Sequence, residues 1–122
     1  MLTGAGVSTE SGIPDFRSPT GIWAELDPME YASLRAFQAD PEKVWSFYAQ
    51  RIEMLTGAEP NAAHHALAEL ERRGFVSAIV TQNIDLLHER AGSRDVVEVH
   101  GSIRTASCPA CGASFPLEES LL

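Results

Sequence analysis

The chain has 122 residues and a formal net charge of −8, with 44% hydrophobic and 21% charged residues, a size that suits one domain with a core and is short for two. Its acidic balance argues against direct binding of nucleic acid through the phosphate backbone, which needs a basic face. No apolar run reaches the length of a membrane span and no basic-then-apolar leader opens the chain, so the expectation is a cytoplasmic protein without a membrane partner.

Met1, Leu2 and Thr3 read as the end of a β-strand feeding Gly4-Ala5-Gly6-Val7-Ser8. Glycines flanking an alanine let backbone N–H groups approach a diphosphate closely; the bland alternative is a surface turn. Gly12-Ile13-Pro14-Asp15-Phe16-Arg17 describes a shaped loop carrying an acid, an aromatic ring and a cation. Asp27-Pro28 and Asp40-Pro41 each read as an N-cap followed by proline in the first helical turn. The second starts the better helix, with Val44, Phe47, Tyr48, Met54 and Leu55 near one side and Gly57 as a stop. Asn61 is expected to cap a third helix through Ala66, Leu67, Leu70 and Arg73, closed by Gly74.

Residues 75–81 are mostly apolar and β-branched, which predicts a buried parallel strand. Residues 84–91 predict a short helix closed by Gly92, residues 96–99 another strand, and residues 117–122 the start of a helix. Helices alternating with strands at these lengths mean α/β with a parallel sheet.

Thr81, Gln82, Asn83, Ile84 and Asp85 follow the predicted strand, where ligands sit in parallel sheets. Gln82 and Asn83 suit an amide or ribose hydroxyls, and Asp85 suits a carboxamide N–H. The residues alone leave another reading open, in which Asn83 caps the next helix and Asp85 complements its dipole. His100 ends the following strand, where an imidazole can act as a general base near neutral pH or serve structure alone. His64, His65 and His88 fall on predicted helices and read as structural. Cys108 and Cys111 are the only cysteines, and one C-x-x-C suits half a zinc site or a redox pair better than a disulfide framework. Tyr48 and Arg51 are neighbours on one helical face, where a guanidinium beside a phenol can hold a carboxylate; a tyrosine packed inward beside a solvated arginine is the alternative.

Gly-Ala-Gly-Val-Ser, Gly-Ile-Pro-Asp-Phe-Arg, Thr-Gln-Asn-Ile-Asp-x-Leu-His, a strand-terminal His-Gly and the Cys-x-x-Cys, in this order, closely resemble the sirtuin family of NAD-dependent protein-lysine deacylases. The resemblance implies a Rossmann-like parallel sheet, here incomplete, over residues 1–104, with a helical insertion at about residues 25–74. It also implies the start of a small zinc-binding module over residues 105–122. Gly4, Ala5, Gly6 and Ser8 would line the pyrophosphate site. Asp15, Phe16 and Arg17 would form the cofactor loop, with Phe16 near the nicotinamide end. Gln82 and Asn83 would contact the ribose, and Ile84 and Asp85 would receive the carboxamide. His100 would be the catalytic base, Tyr48 and Arg51 would select succinyl or malonyl groups, and Cys108 and Cys111 would bind zinc. The implied reaction transfers the acyl group of an acylated-lysine protein or peptide to ADP-ribose and releases nicotinamide. An alkylimidate forms first, as the acyl oxygen attacks the ribose C1′.

A four-ligand zinc site commonly uses two C-x-x-C pairs, and only one is present. The expectation is therefore the N-terminal part of a sirtuin catalytic domain, with apolar sheet edges left uncovered. The alternative function is a truncated, catalytically inactive fragment with at most weak NAD or peptide binding. An ordinary Rossmann oxidoreductase is disfavoured, because Thr9 stands where that fingerprint places Gly or Ala.

Overall fold

The computed structural model describes residues 1–15 and 17–117. Strands β1 (Leu2–Thr3), β2 (Ile79–Thr81) and β3 (Val96–Glu98) form a parallel sheet in the order β1-β2-β3. Leu2 pairs with Val80, and Val80 with Val97. Parallel neighbours require crossover connections. Helices α1 (Pro28–Tyr31), α2 (Leu34–Ala39), α3 (Pro41–Gly57) and α4 (Ala62–Arg72) lie in the first crossover, and α5 (Leu87–Arg90) in the second. Strands β4 (Thr105–Ser107) and β5 (Ser114–Pro116) pair antiparallel in a separate sheet. The expected α/β class with a parallel sheet holds.

The helix starts follow the local chemistry. The Asp27 carboxylate accepts from the Met29 N–H at 2.8 Å, and Asp40 accepts from the Lys43 N–H at 3.0 Å, each ahead of its proline. At α4, Asn61 Oδ1 accepts from the Ala63 and His64 N–H groups, while the Asn61 N–H donates to His64 Nδ1 at 3.2 Å. Histidine thus fills the place that Glu or Gln takes in a capping box. Gly74 closes α4 with φ +80°, the left-handed conformation that glycine adopts without a Cβ penalty. Helix α2 has no forecast in the sequence reading. Its signal is Ser33, whose Oγ accepts from the Ala36 N–H at 3.0 Å, ahead of a helix only six residues long.

Three expectations need correction. The strand predicted over residues 75–81 is only Ile79–Thr81, because the Phe75 and Val76 N–H groups both turn back to the Leu70 carbonyl. That bonding satisfies the α4 C-terminus and leaves Phe75 76% exposed. The helix predicted over residues 84–91 is only Leu87–Arg90, since Leu86 takes a left-handed conformation at φ +64°. The opening glycine stretch is wound into a 3-10 helix, Ala5–Ser11, closed by Gly12 at φ +85°. Phe16 and the helix start expected beyond Leu117 lie outside the described residues.

Among the described residues, Val44, Phe47, Ala58, Ile79 and Leu87 are the buried apolar ones. Phe47 is the hub of an aromatic cluster, stacked with Tyr31 at 4.9 Å and Trp23 at 5.8 Å and meeting Tyr48 edge-on at 5.3 Å. Leu2 and Val97 stay exposed on the outer strands of the parallel sheet, and Val99 just beyond β3. Among the described residues, no helix is long and apolar enough to cross a membrane.

Candidate active site

The three parallel strands end together. The Gln82 N–H donates to the Thr3 carbonyl at 3.1 Å, and the Val99 N–H to the Thr81 carbonyl at 3.0 Å. The glycine stretch, the 82–85 turn and His100 therefore gather at one carboxyl edge of the sheet, the side on which α/β proteins bind ligands.

Ser8 is the buried centre of this edge. Its hydroxyl donates to Asp85 Oδ2 at 2.6 Å and accepts from Asn83 Nδ2 at 3.1 Å. Asn83 Nδ2 also donates to the Gly4 carbonyl at 3.1 Å, fastening the start of the 3-10 helix. Asp85 Oδ1 accepts from the Leu87 N–H at 3.0 Å, so the side chain bonded to the start of the next helix is Asp85, where the helix-end reading expected Asn83 to cap. Asn83 does not; it is turned onto the glycine stretch.

Histidines lie under Ser8. His64 Nε2 is 3.4 Å from Ser8 Oγ. Because the Asn61 N–H occupies Nδ1, the neutral ring carries its proton on Nε2 and donates to Ser8. The His88 ring lies 4.9 Å from that of His64, edge to face, and its Nε2 is 2.9 Å from Thr3 Oγ1. Burial pushes both imidazoles below their ordinary pKa. Asn61 reaches the same stretch, donating through Nδ2 to the Val7 carbonyl at 2.8 Å and Ser11 Oγ at 3.0 Å.

Sequence reasoning missed this role for Asn61, His64 and His88. The Asn61-x-x-His64 spacing carried a cap signal, but no periodicity brings His88 beneath a loop 80 residues earlier.

A cavity of about 590 Å³ opens at this edge. It brings together nine of the predicted site residues: Ala5, Ser8, Tyr48, Arg51, Gln82, Asn83, Ile84, Asp85 and His100, with Ile22, Trp23, Phe47 and Ile103 among its apolar walls. Gly4, Gly6, Asp15, Arg17, Cys108 and Cys111 are not part of its lining. A Cβ built on Gly4 would meet the Gln82 side chain at 3.7 Å, whereas one built on Gly6 would meet nothing within 4 Å. Gly6 also keeps an ordinary φ, unlike Gly12. Neither packing nor backbone geometry within the described residues calls for glycine at position 6, and a Cβ there would project into open space. Asp15 accepts a hydrogen bond from the Ser18 hydroxyl, and Arg17 is exposed.

His100 is exposed, with Nδ1 3.1 Å from the Gln82 carbonyl. A carbonyl only accepts, so Nδ1 is the donor here, and in the neutral ring Nε2 is the nitrogen that keeps its lone pair. On α3, the Arg51 guanidinium lies 3.4 Å over the Phe47 ring, and its Nη1 donates to the Phe47 carbonyl at 3.1 Å. Its Nε is buried without a hydrogen-bond partner, and no described carboxylate pairs with it. Burial raises the Tyr48 phenol's pKa against the opposing charge of Arg51, and lowers that of Arg51 itself.

Cys108 and Cys111 sit at the turn joining β4 to β5. The Cys108 N–H donates to the Ala113 carbonyl at 2.8 Å and the Gly112 N–H to the Cys108 carbonyl at 2.9 Å. The backbone N–H groups of Cys111 and Ala110 draw the Cys108 thiol below its ordinary pKa, favouring the thiolate that binds metal. The described residues hold no cluster of three or more His, Cys, Asp or Glu able to bind an ion.

A short parallel sheet with a glycine-bearing stretch and convergent polar side chains at its carboxyl edge defines an α/β protein with a candidate ligand cleft at its strand ends. The family model described as the Sir2 family matches residues 4–121. NAD-dependent protein deacylase 1 of Archaeoglobus fulgidus is 55% identical over 119 residues, covering 98% of this chain and 49% of that relative. A solved complex of a mutant Sir2 homologue with ADP-ribose matches with a TM-score of 0.92 and 55% identity, over 96% of this chain and 47% of that one. A mutant Sir2 with deacetylated p53 peptide and 3′-O-acetyl ADP-ribose matches with a TM-score of 0.89 and 42% identity, over 98% of this chain and 48% of that one. The chain belongs to the Sir2 family, and it spans about half the length of the curated relatives it matches.

Proposed function

We propose that the protein is an NAD-dependent protein-lysine deacylase, with NAD and an acylated lysine as its two substrates in this cleft. The observation that carries the reading is the His100–Gln82 bond: with Nδ1 donating to that carbonyl, Nε2 is the basic nitrogen of the neutral ring at the cavity wall, as a general base for a ribose hydroxyl requires. Gly4, Ala5, Gly6 and Ser8 supply the backbone approach for the pyrophosphate, and the open space at Gly6 supports this. Gln82 and Asn83 take the ribose. Both amide protons of Asn83 are directed at the glycine stretch, which leaves its Oδ1 as the acceptor. Ile84 and Asp85 receive the nicotinamide carboxamide. The cofactor loop comprises Asp15, Phe16 and Arg17. His100 would draw a proton from a ribose hydroxyl as that oxygen attacks the acyl carbon, and a water then displaces the lysine amine, so that acyl-lysine, NAD and water give free lysine, nicotinamide and acyl-ADP-ribose.

Two finer features belong to the same reading. Arg51, with a buried Nε that lacks a partner, and Tyr48 beside it favour an acyl chain ending in a carboxylate, such as succinyl or malonyl, alongside acetyl. Cys108 and Cys111 are the first half of a structural zinc site. Zinc would hold the hairpin turn and takes no part in the acyl transfer.

Calorimetric titration with NAD, run beside NAD-dependent turnover of an acetyl-lysine peptide, tests the reading. NAD should bind, and His100→Ala should keep that binding while lowering turnover by roughly 10²–10⁴-fold, the range of one general base. Turnover unaffected by His100→Ala, or no NAD binding by a folded chain, would overturn it.

A further inference from the structure

His100 sits, exposed, on the turn between β3 and β4. The turn is closed by the Gly101 N–H donating to the Glu98 carbonyl at 3.3 Å, with Gly101 at φ +80°. Side chains fasten its two ends. Arg104 Nη1 donates to Glu98 Oε2 at 3.0 Å, so residues 98 and 104 are joined across the segment that carries His100. Through Nη2 the same guanidinium donates to Glu89 Oε1 at 2.9 Å, tying the segment to α5, which follows the 82–85 turn. Arg104 also anchors the β4–β5 sheet, since its carbonyl accepts from the Leu117 N–H at 2.9 Å.

An isolated exposed ion pair holds little. This one differs in two respects. One guanidinium joins two carboxylates from two elements. Glu98 is also only 15% exposed, with Oε1 buried and lacking a hydrogen-bond partner, so Arg104 is its one charged partner among the described residues. Taking the cation away leaves a largely buried carboxylate alone, an arrangement proteins relieve by moving the group toward water. Glu98 is the last residue of β3, two before His100, so its movement is passed directly to the turn.

We propose that Arg104 is a positioning residue for His100: by clasping Glu98 and Glu89 it holds the turn so that His100 Nδ1 meets the Gln82 carbonyl and Nε2 faces the cavity. Arg104 touches neither substrate in this account. Its importance for catalysis rests on the reading of His100 as the base; its effect on the imidazole does not.

Long-range proton–nitrogen NMR of the imidazole ring tests this on the full chain, because it reports which ring nitrogen carries the proton. In the unaltered protein His100 should be mainly the Nδ1–H tautomer. Arg104→Gln should lower the Nδ1–H to Nε2–H ratio by roughly fivefold, the worth of about one net hydrogen bond. Arg104→Lys, which keeps the charge but loses the fork, should fall between the two. Arg72→Gln, which breaks an exposed pair on α4, should leave the ring unchanged. An unshifted His100 ring in folded Arg104→Gln would overturn the proposal, and so would an equal shift in Arg72→Gln. If Arg104→Gln does not fold, the Arg104→Lys ring signature decides. Peptide deacylation separates the two readings: full activity in His100→Ala alongside a shifted ring in Arg104→Gln would defeat the general base and leave the clasp standing.

Discussion

Ser8 and Asp85 are 77 positions apart, yet the Ser8 hydroxyl donates to Asp85 Oδ2 at 2.6 Å in the buried floor of the cleft. The bond joins the first turn of the sheet to the second. Asn83 and His64 both donate to the same hydroxyl oxygen, so its lone pairs and its proton are all engaged.

Removing that hydroxyl strands part of the network. Ser8→Ala should destabilise the fold by about 1.5–3 kcal/mol, the range for a hydrogen bond to a charged group. A lower urea midpoint at constant m-value is the expected signature. A midpoint equal to that of the unaltered protein would mean the network does not support the fold.

The histidines beneath Ser8 make stability sensitive to mild acid. Burial is the first cause that lowers the folded-state pKa of both His64 and His88 from 6.5. Their mutual proximity adds to the lowering at His64, and Asp85 opposes it at both. The unfolded chain therefore takes up protons that the folded chain refuses. Stability should be full above about pH 6.5 and fall as pH drops below it. Glu69, held down to about 2 by Arg72 and Arg73, and Glu71, lowered by the Asp95 and Arg94 N–H groups, lose their contributions only below the ordinary carboxylate value of 4.5. Urea midpoints between about pH 7 and pH 5 isolate the histidines. His88→Gln should flatten the profile, and a flat profile in the unaltered protein would contradict the assignment.

Gly6 and Gly12 should behave oppositely. A Cβ at Gly6 meets nothing in the protein, so Gly6→Ala should change stability by no more than about 0.5 kcal/mol. It should nevertheless weaken NAD binding by about tenfold or more, equivalent to about 1.4 kcal/mol. Gly12 lies at φ +85°, so Gly12→Ala should cost about 1–2 kcal/mol of stability. Calorimetry with NAD and urea titration together separate the two, and full NAD affinity in Gly6→Ala would remove the pyrophosphate role.

Arg51 should set acyl preference. Arg51→Met keeps much of the apolar stem that covers Phe47 and deletes the charge. Turnover of a succinyl-lysine peptide should drop by roughly 10–100-fold, matching about 1.5–3 kcal/mol for charge-assisted bonds, with acetyl-lysine turnover little changed. An unaltered ratio between the two peptides would dismiss the carboxylate pocket.

Local chemistry was legible wherever it acts over three or four residues. Asp27, Asp40 and Asn61 announced their helices, Gly74 announced a helix end, and β-branched residues announced β2 and β3. Boundaries failed where two elements compete for the same backbone groups. Phe75 and Val76 have strand-forming side chains in their neighbourhood, but the open carbonyl of Leu70 takes their N–H groups. Leu86 sits in a helical pattern but lies at φ +64°, while the Asp85 side chain bonds the Leu87 N–H.

By itself the sequence determined the α/β class, the family and the residue types at the cleft, because caps, strand runs and motif spacing are short-range properties. Only the tertiary structure decided which of those residues meet. It buried Ser8 against Asp85, placed His64 and His88 beside them, gave His100 its Gln82 partner, and left Arg51 at the cavity wall with no described carboxylate paired to it. Each of these depends on chain segments tens of residues apart being brought to one sheet edge, where burial sets the worth of every bond and spacing along the chain does not record it.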